Sequence, residues 1–117
     1  MRLQMRGQQI DWPEPLREHA ERRLHLALSR FSRRISLVTV DIRHDAGAPA
    51  DFQTVCRIAV RLLPKGRILV ENSQGDLYAA ISRLAEQAGR AVGRALDRER
   101  DWEGSPTQPK AAAGPRS

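Results

Sequence analysis

The stretch FQTVCRIAVRLLPKGRILVE, residues 52–71, carries the clearest secondary-structure pattern of the chain. Apolar and polar side chains alternate along its first half, as in a strand with one buried face. The inward side chains are predicted to be Phe52, Thr54, Cys56, Ile58, Val60 and Leu62. LPKG, residues 63–66, has turn composition, and residues 67–71 continue as a second strand with Ile68 and Val70 inward. The stretch therefore predicts an antiparallel hairpin with one apolar face.

Two further strands are predicted from the same kind of alternation. Residues 1–6 place Leu3 and Met5 on one side, and Gly7 is expected to end this strand. Residues 35–43, ISLVTVDIR, are rich in the β-branched side chains that favour strands. The inward side chains of this segment are Val38, Val40 and Ile42. HDAGAPAD, residues 44–51, indicates a loop by its Gly, Pro and Asp content.

Two helices are predicted from apolar side chains that recur every three or four residues. The first is expected to begin after Asp11, a plausible N-cap. Its buried face is predicted to be Leu16, Ala20, Leu24, Ala27 and Phe31. The second is expected to follow the cap candidates Asn72 and Ser73, with Asp76 in its first turn. Its buried face is predicted to be Leu77, Ile81, Leu84, Ala88, Val92 and Ala95.

The resulting order, β-α-β-β-β-α, predicts an α+β fold. The first two strands are joined by a helix and should be parallel neighbours, whereas the hairpins make the remaining pairs antiparallel. Each strand has one apolar face, so both helices should cover the same side of a four-stranded sheet. Residues 1–102 are predicted to form this domain. Residues 103–117 have no periodicity and are predicted to be a disordered tail.

The charge balance favours an anionic partner. The chain has 117 residues, with 20 basic against 14 acidic side chains and a formal net charge of +6. Apart from Lys65 and Lys110 every basic residue is arginine, which suits bidentate phosphate contacts. No apolar run approaches the ~20 residues of a membrane span, and the N-terminus lacks a secretory signal. The single cysteine fits a reducing compartment, so a cytoplasmic protein without a membrane partner is expected.

No pattern of catalytic or metal-ligating residues is evident. Cys56 alternates with core positions and is expected to be a buried structural thiol. His19 and His25 lie on different faces of one helix, and His44 lies alone in a loop. No serine has a glycine elbow around it. We therefore expect no enzymatic activity, no metal, no cofactor and no small-molecule substrate.

Arginines form a row along the second helix. At roughly 100° per residue, Arg83, Arg90, Arg94 and Arg98 fall within an arc about 80° wide, with Gln87 in the gap. The first helix and the residues after it carry further arginines. The residues predicted to bind RNA phosphates are Arg22, Arg23, Arg30, Arg33, Arg83, Arg90, Arg94 and Arg98. A solvated face with no partner is the alternative explanation for either row alone.

The open face of the sheet carries no aromatic side chain that could stack on bases. In the central strand this face presents Gln53, Val55, Arg57, Ala59 and Arg61. Recognition of RNA backbone and shape therefore fits better than base stacking.

Several segments resemble one known family. GDLYAAI, residues 75–81, is similar to the Asp-x-Tyr-Ala-Ala-Ile segment at the head of the last helix in the ribosome hibernation-promoting factors, also called ribosome-associated translation inhibitors or sigma-54 modulation proteins. Arg90 and Arg94 match basic positions downstream of that segment. LREHAERRL, residues 16–24, resembles the family's first helix, where Arg23 matches a usual Lys or Arg. LQMRGQQI at the start resembles its first strand and turn, so the resemblance extends over residues 1 to about 100.

The resemblance implies a fold similar to a double-stranded-RNA-binding domain. It also implies that the partner is rRNA of the small ribosomal subunit, in the channel used by mRNA and by A- and P-site tRNA. Initiation would then be blocked and idle bacterial ribosomes preserved under stress. Long members add a C-terminal dimerisation domain, and this chain resembles the short class.

The chain departs from the family where lysine is usual. Leu26 and Gln87 occupy two such positions, and each missing phosphate contact should lower affinity and its salt dependence. A different class of function is also open at this point. The chain would then be a protein-interaction or transcription-modulating module whose basic face binds an acidic partner.

Overall fold

The computed structural model describes residues 1–8, 12–44, 47, 54–73 and 76–103. The elements, in chain order, are strand β1 (Arg2–Gln8), helix α1 (Glu14–Leu28), a 3-10 helix (Ser29–Arg34), strands β2 (Ile35–His44), β3 (Thr54–Leu62) and β4 (Arg67–Ser73), and helix α2 (Leu77–Glu103). The predicted β-α-β-β-β-α order and the α+β class are confirmed. Phe52, Gln53 and the tail from residue 104 lie outside the described residues, so the predicted boundary of the tail stays a prediction.

The strands form one sheet in the order β1-β2-β3-β4. β1 pairs parallel with β2, and the other two pairs are antiparallel, as predicted. One row of side chains that crosses the whole sheet consists of Met5, Val40, Ile58 and Val70. This row faces the helices and contributes to the core. The alternation seen in the sequence therefore assigns the two faces of the sheet correctly.

Both helices lie on that inward face and close the core. The core side chains of α1 are Leu16, Ala20, Leu24 and Leu28. The core side chains of α2 include Ile81, Leu84, Ala88 and Val92. The outer face of the sheet has no helix against it in the described part of the chain. A one-sided sandwich of this kind leaves two separate surfaces available for partners: the outer side of the helix pair and the open face of the sheet.

The end of the first helix differs from its prediction. We expected Ala27 and Phe31 to continue the buried face, but α1 ends at Leu28, whose side chain is fully buried. The chain then turns through roughly 120° per residue in the 3-10 helix, instead of 100°, so Phe31 no longer continues the buried face, whereas Ala27 lies in α1 where Gly89 of α2 approaches it. Ala27 and Phe31 are only partly buried and pack against the edge of the core.

Three element ends also differ. Gly7 does not end β1 but pairs with Ile42, because β2 continues to His44 and still offers a partner there. Asn72 and Ser73 are not caps but belong to β4. The cap of α2 is Asp76, whose carboxylate accepts the backbone N–H groups of Tyr78 and Ala79 at 3.0 and 3.4 Å.

Asp11, predicted to cap the first helix, lies outside the described residues. α1 begins at Glu14, and Pro13 occupies its N-cap position without a side-chain cap. The carbonyl of Pro13 accepts the backbone N–H of Arg17 at 3.0 Å. The start of α1 therefore relies on proline's fixed φ instead of a side-chain cap.

A bulge turns one further side chain into the core. Strict alternation in β2 would place Ile35 on the open face with Leu37. The register shifts between these two residues, since Ile35 lies opposite Leu62 and Leu37 lies opposite Arg61. Ile35 is consequently only 1% exposed. The extra residue at this bulge is Ser36.

The two helices run side by side in the same direction and approach closely at one glycine. His19 contacts Ser82 near the start of the helix pair, and Arg34 contacts Glu99 near its end. A Cβ added to Gly89 would lie 2.9 Å from the backbone oxygen of Ala27. The glycine therefore sets how near α2 can lie to α1.

We expect Gly89→Ala to lower the melting temperature, although alanine is the better helix former. The gain in helix propensity is ~1 kcal/mol, whereas overpacking against an immovable backbone oxygen costs ~1–3 kcal/mol. Gly93→Ala is the matched control, because its Cβ would meet only the ring tip of Phe31 at 3.4 Å. Thermal unfolding followed by circular dichroism checks both variants. A more stable Gly89→Ala variant would contradict the close approach.

Candidate nucleic-acid interface

The row of arginines predicted on α2 lies on its outer side. We call Arg83, Arg90, Arg94 and Arg98 the basic ridge; each is exposed, and so is Gln87 between them. Within the described side chains, no carboxylate lies within 4.0 Å of any ridge guanidinium. The ridge therefore presents its charge to solvent without internal compensation.

The carboxylates closest in sequence to the ridge are held by other arginines. Glu86 pairs with Arg23 of α1 at 3.3 Å. Asp97 pairs with Arg100, one turn along α2, at 2.9 Å. Glu99 pairs with Arg34, which also donates its Nε–H to the carbonyl of Leu63. These three carboxylates are thus paired with arginines that do not belong to the ridge.

Three further predicted arginines, in α1 and in the 3-10 helix, are exposed, and one of them, Arg30, lines a groove. Arg22, Arg30 and Arg33 are exposed, with no carboxylate within 4.0 Å in the part of the chain that is described. The guanidinium of Arg30 lies 4.7 Å from the ring centre of Phe31, a cation–π contact that orients it. Arg30 also faces Arg90 across the groove between the helices.

This groove has a volume of about 380 Å³. Its lining residues are Leu26, Ala27, Arg30, Glu86, Gly89 and Arg90. Leu26 is 73% exposed at the rim of this groove. The structure therefore brings Arg30 and Arg90, two of the predicted residues, to opposite walls of one groove.

Arg23 differs from the other predicted residues. Its side chain is 32% exposed, it is paired with Glu86, and its Nε is buried without a hydrogen-bond partner in the described structure. The sequence placed Arg23 in a basic row but could not show a partner on the other helix. Arg23 therefore holds Glu86, which is four residues before Arg90 and lines the same groove.

If the ridge binds RNA, as the sequence predicts, Arg23→Gln should weaken that binding chiefly by releasing Glu86. The freed carboxylate would lie one helical turn from both Arg83 and Arg90 and would neutralise part of the ridge. Adding Glu86→Gln to Arg23→Gln should therefore restore most of the lost affinity in filter binding with small-subunit rRNA. A double variant that binds no better than Arg23→Gln alone would instead make Arg23 a direct phosphate contact.

One cluster at the start of the helix pair was not predicted. The Nε2 atom of His19 lies 2.9 Å from Ser82 Oγ and 3.1 Å from the carbonyl oxygen of Tyr78. The rings of His19 and Tyr78 are 5.0 Å apart. The sequence does place His19 four residues before Arg23, on the same side of α1. It could not show the partners of His19, because Tyr78 and Ser82 are 59 and 63 residues away. The cluster fixes how α1 lies along α2.

The described residues offer no group of three His, Cys, Asp or Glu side chains that could hold a metal ion. None of the helices in the described ranges is long and apolar enough to cross a membrane. The one cysteine, Cys56, is buried in β3 as predicted. Desolvation by burial, with a smaller contribution from the charge of Asp41, raises the pKa of Cys56 from 9.0 to about 12.

Cys56 is expected to resist thiol reagents in the folded protein. A pKa of about 12 in place of 9.0 lowers the thiolate population about a thousandfold at pH 8, and burial blocks access as well. Titration with a chromogenic disulfide reagent at pH 8 should show negligible reaction, followed by one thiol per chain in denaturant. Fast reaction of the native protein would contradict the burial of Cys56.

Residues 3–100 match the family model described as sigma 54 modulation protein / S30EA ribosomal protein. The chain belongs to this family. The match covers nearly the same residues as the resemblance seen in the short sequence segments, which it confirms. Known members of the S30EA family are ribosome-associated factors. No curated protein was found to match the chain.

Two solved structures support the S30EA fold. A ribosomal subunit interface protein from Coxiella burnetii superposes with a TM-score of 0.68 at 22% identity, covering 83% of this chain and 99% of that one. The N-terminal domain of Protein Y from Thermus thermophilus superposes with a TM-score of 0.63 at 25% identity, covering 80% of this chain and 98% of that one. The S30EA domain is thus matched along almost the full length of both structures.

Proposed function

We propose that this chain binds the small ribosomal subunit and occupies the channel used by mRNA and by A- and P-site tRNA, which prevents initiation on idle ribosomes. Membership of the S30EA family and a structural relative named as a ribosomal subunit interface protein support a ribosomal partner. The proposed phosphate contacts are Arg22, Arg30, Arg33 and the basic ridge. Arg23 contributes mainly by holding Glu86.

The uncompensated basic ridge carries this proposal. From Arg83 to Arg98 the ridge spans ~22 Å at about 1.5 Å per residue, long enough to follow several phosphates of an RNA backbone. Holding exposed like charges in one row is unfavourable in the free protein unless an anion meets them. Arginine forks bind phosphate oxygens in pairs and lose little hydration on doing so.

The described aromatic side chains support recognition of backbone over bases. Phe31 packs at the core edge beneath Arg30. Trp12 donates its indole N–H to the carbonyl of Arg6, and the ring of Tyr78 makes a tilted contact with that of His19. Each of these rings already has a partner inside the protein, and Tyr78 is the most exposed of the three, at 44%. Binding should therefore follow the shape and charge of rRNA and fall steeply with salt.

Inhibition in this mechanism comes from occupancy and involves no turnover. A protein that fills the channel excludes mRNA and tRNA from the same space, so its effect depends on how much of it there is relative to small subunits. Release needs only a competing ligand or a change in concentration. The fold supplies rigidity, because both helices are fixed to one core and hold the arginines at constant spacing.

The proposal is tested by competition on purified small subunits. The protein should cosediment with subunits at low salt, dissociate as salt is raised, and be displaced when mRNA and initiator tRNA are bound first. If the protein instead copurifies with an acidic protein from a lysate, and does so even after nuclease digestion, this would support the alternative that its basic face binds an acidic protein partner. Cosedimentation unaffected by prior mRNA and tRNA binding would place the protein outside the channel.

A further inference from the structure

The open face of the sheet carries a second group of arginines. The strand register places Arg2, Leu37, Arg61 and Arg67 side by side in one row across the sheet. We call the three arginines of this row the end row. Arg61 and Arg67 are direct cross-strand neighbours, whose Cβ atoms are therefore ~5 Å apart. Like charges directly opposite each other destabilise a sheet, so this arrangement requires an explanation.

A second charged row on the same face has equal numbers of basic and acidic side chains and serves as a comparison. It consists of Arg6, Asp41, Arg57 and Glu71, in which basic and acidic residues alternate. Arg57 donates from Nε and Nη2 to Glu71 at 3.0 and 2.9 Å. The end row has no such arrangement, since no described carboxylate lies within 4.0 Å of its guanidinium groups.

A concavity of about 450 Å³ lies between the two rows. Thr39 and Ala59 lie opposite each other on neighbouring strands in the middle of this concavity. Because both side chains are short and uncharged, they form a neutral floor below the longer side chains of the two rows. Arg6, Arg61 and Arg67 stand at its rim without a carboxylate within 4.0 Å in the described structure. The same concavity is lined by the carboxylate of Asp41, which lies opposite Arg6 and Arg57 in the balanced row. Apart from Arg6, the arginines without a carboxylate within 4.0 Å therefore lie on the end-row side of the concavity, away from Asp41.

We propose that this concavity is a second phosphate-binding surface, which takes an RNA backbone on the face opposite the basic ridge. The domain would then be held between two RNA segments, one against the helices and one against the sheet. This inference rests on the proposed function, because a partner dense in RNA can supply both segments. An acidic protein fits less well, because the only apolar side chains that line the concavity, Leu37 and Ala59, offer no pocket for a buried anchor residue.

The double variant Arg61→Gln/Arg67→Gln removes the proposed contacts. Arg61 and Arg67 are exposed, and their removal relieves a like-charge pair, so the fold should be kept. A matched control is Arg17→Gln/Arg100→Gln, which removes the same formal charge from arginines that already have carboxylate partners on their own helices. Melting curves of both variants confirm folding before binding is measured.

The test uses two RNA duplexes, one immobilised and one fluorescent, together with purified small subunits. The parent and the control should bridge the duplexes. The variant Arg61→Gln/Arg67→Gln, which we call the open-face variant, should bind one duplex without bridging two. The log–log salt slope of its binding to small subunits should fall by roughly 1.5, at about 0.7–0.9 per lost contact. Substituting Asp41→Asn, which removes the opposing carboxylate, should strengthen bridging.

The outcomes separate the two proposals. An open-face variant that bridges as well as the parent and keeps its salt slope overturns the second surface and leaves the ridge intact. A parent that binds one duplex but never bridges overturns it as well. A parent that binds neither duplexes nor small subunits overturns the proposed function and this inference together.

Discussion

Replacing Arg83, Arg90 and Arg94 together by glutamine is expected to weaken binding to purified small subunits by orders of magnitude. The three side chains are exposed and lie within 4.0 Å of no described carboxylate, so their charge is available to phosphates. If each neutralises one phosphate, the log–log salt slope should fall by roughly two to three units, at about 0.7–0.9 per contact. Binding titrations at several salt concentrations provide both quantities.

The fold should be almost unchanged in this triple variant. Glutamine has a helix propensity close to that of arginine, and the ridge lies beside the buried face of α2 and not within it. The control Arg17→Gln/Arg100→Gln should alter the slope far less per charge removed. A triple variant that binds subunits as tightly as the parent, with the same slope, would mean that the ridge is only a solvated face.

The substitution Ile58→Asp is expected to abolish the cooperative fold. Ile58 is fully buried at the centre of the sheet, between Val40 and Val70 in the row that faces both helices. Truncating such a side chain costs ~2–5 kcal/mol, and burying an unpaired carboxylate adds several more. The sum is comparable to the ~5–15 kcal/mol that stabilises a typical domain.

Two variants make this result interpretable. Ile58→Val keeps the core apolar and should cost only ~0.5–1.5 kcal/mol. Ala59→Asp introduces the same carboxylate one residue later, on the half-buried open face, and should still melt cooperatively. Calorimetry or circular dichroism distinguishes the three. A cooperative melt of Ile58→Asp close to that of the parent would show that the strand faces are assigned incorrectly.

The local patterns of the sequence were enough to predict the architecture. Alternation in β3 and β4 assigned the inward side chains around Ile58, and helical spacing identified the core side chains Leu24 and Leu84. These patterns act within one element, where the side-chain period fixes which residues share a face. The same reasoning placed the basic ridge on an exposed arc of α2, because four positions on one helix need no knowledge of the fold.

Features that depend on contacts between elements could not be predicted. The bulge at Ser36, which turns Ile35 inward, arises from the pairing of β2 with β3. The pairing of Arg23 with Glu86 depends on how the helices pack. The end row exists only because the register brings Arg61 and Arg67 opposite each other. The bulge and the ion pair each need residues far apart in sequence to be aligned, and the end row needs the exact register of a hairpin, which turn composition alone does not determine.

The central claim, that the helix face meets small-subunit rRNA in the mRNA and tRNA channel, can be tested by directed cleavage. Gln87→Cys places a reactive thiol inside the basic ridge while keeping all its arginines, and the buried thiol of Cys56 should not compete for label. An iron chelate attached at this position generates hydroxyl radicals that cut nearby RNA. We predict cuts in small-subunit rRNA at nucleotides that line the channel, which disappear when mRNA and initiator tRNA are bound first. Cuts elsewhere on the bound subunit, or cuts that persist with the channel filled, would contradict the account.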